Sequence, residues 1–236
     1  MNDIKSIELV KNVFNVIEKA NNVNEIYSLL TSEPELFKNK INTLKYPKIE
    51  YTLSDNDIKL LKEINYISTD NRLKISKEEL NKQSLLTKLL YSIIWKNGDL
   101  GKEKHIIEGV LNFNKIDEKG LVFYHFGNYL GDEKKKEPII DQHTLRAYGI
   151  YLCLSNKINN IIDIIPKKRK NFKNMDVDYY RKLYITSRKE LPLISEYKKW
   201  IKNHKLYENI DFVYTLDLVL FALGKSIKSN SKSKAE

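Results

Sequence analysis

The residue types best suited to chemistry cluster in Glu137-Pro138-Ile139-Ile140-Asp141-Gln142-His143-Thr144-Leu145-Arg146-Ala147-Tyr148. An apolar pair delivers one carboxylate, Asp141, to the start of a helical stretch, where it can accept from unpaired backbone N–H groups as an N-cap. Such a helix start also suits a phosphate, because its N–H groups have no acceptor within the helix. Gln142, His143 and Arg146 fall in the first turns and offer donors to that anion. A plain capping aspartate below a solvated basic face is the alternative, and the residues taken alone favour it. A second stretch, Trp95 to His105, joins an aromatic and a tight turn to basic groups. There Trp95 either stacks on an extruded base or anchors a core, and Lys102 and Lys104 are placed to bind phosphate.

The elements that must position these groups are helical. Ile4, Ile7, Val10, Val13, Phe14 and Ile17 form the i, i+3, i+4, i+7 stripe of an amphipathic helix over 4–20. Ser54 followed by Asp55 and Asp57 opens a short helix through Ile64. The capping box Ser76-Lys77-Glu78-Glu79 predicts a helix running to about Trp95 and ended by Asn97-Gly98. Further helices are predicted over 102–112, 119–130, 142–153 and 212–224, with Gly224 as the last stop. No sustained alternation asks for a sheet; residues 66–75 have material for one small hairpin at most. The expectation is an all-α fold of two helical subdomains, 1–100 and 101–224, with a Ser/Lys-rich tail over 225–236.

The 236 residues carry 41 Lys and Arg against 31 Asp and Glu, a net charge of +10. That excess suits a polyanion, most often nucleic acid. A genome rich in Lys, Asn and Ile codons, with only four Ala in the chain, is the competing explanation. One cysteine, Cys153, excludes a disulfide framework and a multi-cysteine zinc site. No apolar run approaches a membrane span, and the charged start lacks the pattern of a secretory signal. No phosphate loop, dinucleotide fingerprint, HExxH pair or GxSxG elbow is present, so neither a nucleotide cofactor nor a metal is expected. A cytoplasmic, nucleoid-associated chain is the expectation.

Ile139 to Arg146 resembles the catalytic-aspartate segment of the helix-hairpin-helix DNA glycosylase superfamily, most of all its compact 8-oxoguanine glycosylases. Tyr124-His125-Phe126-Gly127-Asn128-Tyr129-Leu130-Gly131 is similar to the helix upstream of that aspartate, and the two matches span about 30 residues. The resemblance implies double-stranded DNA as partner and excision of a modified base. It assigns Asp141 to stabilising the developing sugar cation, and His143 to contacting a target-strand phosphate. A carboxylate suits that role, since breaking an N-glycosidic bond builds positive charge on the sugar. An associated lyase step needs an amine nucleophile, for which Lys119 is the candidate. An ungapped match places the family lysine at Leu121, two residues later. The same reading puts Trp95 and His125 at the base pocket and Lys134, Lys135 and Lys136 on the DNA. A DNA-binding protein without enzymatic activity and a protein-interaction module are the rival functions.

Overall fold

The computed structural model describes residues 3–113, 120–155 and 193–229. Among these the fold is all-α: eleven helices and a single antiparallel bridge, Ile67 to Leu73, in place of a hairpin. Long-range contacts divide the chain into two compact units, Met1–Lys48 with Lys135–Glu236, and Ile49–Lys134. The segments expected from the sequence are cut differently, at residue 100. The stop at Asn97-Gly98 is a local signal, whereas the units follow packing between distant segments.

The first unit holds α1 (Asp3–Lys19), α2 (Val23–Ser32), α3 (Pro34–Asn39), α9 (Gln142–Leu154), α10 (Leu193–Lys202) and α11 (Phe212–Ser229). Val10, Val13, Phe14 and Ile17 bury the predicted stripe of α1. Asn22 caps α2 by accepting from Glu25 N at 3.1 Å, and Pro34 opens α3, where its missing N–H leaves nothing unpaired. The central element is α11, which packs on α1, α2, α3 and α9. It is apolar nearly all round, burying Phe212, Leu216, Val219, Leu220, Leu223 and Ile227, as a helix inside a core must.

Gly224 does not end this helix. A Cβ there would lie 1.9 Å from the carbonyl oxygen of His143, so the glycine lets α11 cross the start of α9 at backbone distance. Burial holds the next turn helical: the Ser226 hydroxyl donates to Glu35 O at 2.8 Å and accepts from Asn39 Nδ2 at 3.1 Å. Of the expected tail, residues 225–229 therefore belong to α11, and 230–236 lie outside the described residues.

The second unit contains α4 (Asp55–Glu63), α5 (Lys77–Lys82), α6 (Leu85–Lys96), α7 (Glu103–Val110) and α8 (Leu121–Gly131). Ser54 and Ser76 both form reciprocal capping boxes, with Asp57 and Glu79. The helix predicted from Ser76 to Trp95 is broken at Gln83-Ser84. The Ser84 hydroxyl caps a new helix by accepting from Thr87 N at 3.1 Å, and this local bond competes with continuation. Helices α7 and α8 meet at two glycines: a Cβ on Gly109 would sit 2.0 Å from Tyr124 O, and one on Gly127 2.1 Å from Ile106 O. No residue of α6 is buried, and Leu85, Leu86, Leu89, Leu90 and Ile93 are all exposed. No described helix is long and apolar enough to cross a membrane.

Candidate functional site

Asp141 is the N-cap of α9. Its backbone is extended, and Oδ1 accepts from His143 N at 2.5 Å and Thr144 N at 2.8 Å. The preceding apolar pair splits its work. Ile140 is buried in the core, while Ile139 N donates to Oδ2 of Asp217 at 2.8 Å. Asp217 lies on α11 and is buried, with Oδ1 accepting from the Tyr197 hydroxyl at 3.2 Å. Burial raises the pKa of Asp141 against the opposing pull of its two amide bonds, the Thr144 hydroxyl and Arg146. For Asp217 burial is again the largest cause and lifts the carboxyl far above its ordinary range, with the Asp141 charge adding to it. The site is thus two carboxyl groups, Asp217 buried and Asp141 half-buried, tied to Tyr197 and the start of α9. Asp217 and Tyr197 carry no motif; their place beside Asp141 comes from packing of α10 and α11 alone.

The basic groups expected around Asp141 are placed otherwise. Arg146 is buried, 1% exposed, donating from Nη1 to Gly224 O at 3.1 Å and to His143 Nδ1 at 2.9 Å. It braces the α9–α11 crossing and has no face for DNA. A guanidinium only donates, so His143 Nδ1 is the acceptor and the ring proton resides on Nε2. Burial, then the Arg146 charge, lowers the pKa of His143 to about 4, so at neutral pH it is an uncharged donor and no counter-ion for phosphate. Its ring also meets Phe221 edge-on at 4.9 Å. Gln142 is the first residue of α9 and half-buried.

The remaining residues fall into both units. Lys102 pairs with Asp99 and lies 5.1 Å from the Phe123 ring centre; Lys104 reaches Glu108 at 3.7 Å. Lys134 is exposed. Lys135 is buried at a left-handed turn, φ 51°, which removes it from a DNA-facing loop. Lys136 pairs with Glu208 and stands 4.8 Å over Tyr207. Trp95 is 64% exposed, which excludes the core-anchor alternative and leaves its ring free to stack. His125 is buried within α8, edge-on to Tyr124 at 5.3 Å and 3.2 Å from Asn128 Oδ1, so it is packing rather than a pocket wall. Lys119 lies outside the described residues. Among the described residues, no three His, Cys, Asp or Glu side chains converge as metal ligands. No protein-family model, curated protein or solved structure matches the chain.

Proposed function

We propose that the chain is a glycosylase-like protein that excises a modified base from double-stranded DNA, with Asp141 as the carboxylate that supports glycosidic cleavage. The observation that carries this reading is Asp141 itself: a half-buried carboxyl group fixed by two amide bonds at the start of α9. In its ionised form, a carboxyl fixed in this way stabilises a developing cation better than one moving freely in water. The positive charge of the chain supports a DNA partner and, with it, a nucleoid location. Outside 49–134 there are 28 basic and 17 acidic residues, whereas 49–134 is nearly balanced at 13 and 14.

A second reading, a DNA-binding protein on the same scaffold without catalysis, is favoured by one detail. Both amide bonds fall on the same oxygen of Asp141, the arrangement of an ordinary helix cap. The test is Asp141→Asn assayed on duplexes carrying a panel of modified bases, followed by alkali to reveal abasic sites. Asparagine caps as well as aspartate, so the variant should fold and bind DNA yet lose excision by about 100-fold or more. Undiminished excision by the variant rejects the role of Asp141, and wild-type protein that binds duplex but releases no base supports the second reading. Sodium borohydride trapping of wild type and Lys119→Gln then assigns or removes the amine step.

A further inference from the structure

Within the first unit, α1, α9, α10 and the turn after α10 enclose a cleft of about 500 Å³ lined by Glu18, Tyr148, Tyr151, Glu196, Trp200 and His204. Its wall is a cluster of rings. Phe14 stacks on Tyr151 at 4.0 Å and backs the cleft, and Trp200 stands tilted at 5.5 Å from Tyr148 and 5.9 Å from Tyr151. Glu18 organises them: its Oε1 accepts from the Tyr151 hydroxyl at 2.8 Å and from Trp200 Nε1 at 2.7 Å. That leaves Oε2 for a ligand. Glu196 accepts the Tyr148 hydroxyl at 3.1 Å through its backbone carbonyl, so its carboxylate is not used in building the wall.

The charge of the cleft follows from these bonds. His204 donates from Nε2 to Ile17 O at 3.0 Å and accepts from Leu206 N at 3.1 Å on Nδ1. A histidine with one donor and one acceptor nitrogen is neutral. Lys199 also lines the cleft but is exposed, and Asn203 beside it is uncharged. Two carboxylates therefore stand against one solvated ammonium, beside the half-buried rings of Tyr151 and Trp200, whose quadrupoles favour a cation, with the buried Tyr148 packed behind them. A bare primary ammonium needs acceptors for three N–H groups, and ring faces supply poor ones. A cation whose charge is spread over methyl groups needs none and leaves water more readily.

We propose that this cleft binds a methylated ammonium group, carried either by a free small molecule or by a methylated lysine side chain of a polypeptide. The volume exceeds that of the head group and leaves room for the chain attached to it. The proposal makes no use of the excision reading and is tested without DNA.

The chain has two tryptophans, Trp95 and Trp200, so Trp95→Phe leaves Trp200 as the sole reporter of the cleft. Titrations of its fluorescence with choline, with the neutral isostere 3,3-dimethyl-1-butanol, and with paired peptides bearing lysine or trimethyl-lysine read the site directly. Choline or the trimethyl-lysine peptide should saturate the signal, with the neutral isostere and the unmodified peptide about tenfold weaker or worse. The tighter of the two cations identifies the source. Glu18→Gln keeps an oxygen for Tyr151 and Trp200 while removing the charge. It should weaken cation binding about fivefold or more with an unchanged melting temperature. Should that variant unfold, Glu196→Gln, which disturbs no bond in the wall, must show the same weakening. No saturable change up to about 20 mM of either cation, or equal binding of choline and its neutral isostere, overturns the proposal.

Discussion

A carboxylic acid enclosed by protein keeps its proton to a higher pH than one in water, and that difference is readable as stability. For Asp217 the ordinary value is 3.8 and the folded value is well above it. Above pH 3.8 the unfolded chain has released this proton while the folded chain retains it. The contribution of Asp217 therefore falls as pH rises through that window, by at most about 1.4 kcal/mol per pH unit. Asp141 has the same sign. His143 has the opposite one: its pKa drops from 6.5 to about 4, so stability is lost as pH falls through that interval. Asp217→Asn retains an acceptor for Ile139 N and a polar partner for Tyr197. Its stability relative to wild type should climb as pH rises above 4 in denaturant melts, whereas parallel curves would show that Asp217 ionises normally. At Asp141, Asn keeps the cap and should not lower the melting temperature. Ala should lower stability by about 1 kcal/mol through loss of the cap, a shift of about 2–4 °C by calorimetry.

Helices were legible where their instructions are local. The stripe of α1, the cap at Ser54 and the capping box at Ser76 need only neighbours a few residues away, and each opened a helix, although the one from Ser76 stops at Lys82. Ser84 was equally local, but a serine inside a long apolar pattern reads as a tolerated interruption until its hydroxyl is seen holding Thr87 N. Gly224 illustrates the other failure. A glycine ends a helix or admits a neighbour, and only the crossing with α9 decides which. Asp141 was legible as a cap for the same local reason, while Asp217 and Tyr197 became its neighbours only through packing. Arg146 looked like a surface donor because the sequence does not say which face of α9 meets α11. The glycine crossings give paired predictions. Gly224→Ala should destabilise the first unit, and Gly109→Ala the second, each by about 1–3 kcal/mol or more from overpacking against backbone. Hydrogen exchange should report each loss within its own unit; an unshifted Gly224→Ala melt would contradict the close crossing.

For the whole molecule the governing quantity is charge and its distribution along the chain. Residues 156–192 carry ten basic and four acidic side chains, including Lys167-Lys168-Arg169-Lys170. If DNA is the partner, anisotropy titrations should show affinity falling steeply with salt, as bound counterions are released. Replacing those four residues by alanine should flatten the log–log slope by up to about 3–4, since each lost phosphate contact removes close to one unit. An affinity indifferent to salt would favour a protein partner.

The first unit is closed by α11, and this has a consequence for how the chain is made. α2 and α3 pack against α11, yet about 180 residues must be synthesised between them, which at ~5–20 residues per second takes ~9–36 s. Residues 49–134 emerge complete during that wait, because their partners are close in sequence. On the ribosome the middle of the chain should therefore gain protease resistance first, while α1 to α3 remain cleavable until α11 has left the exit tunnel.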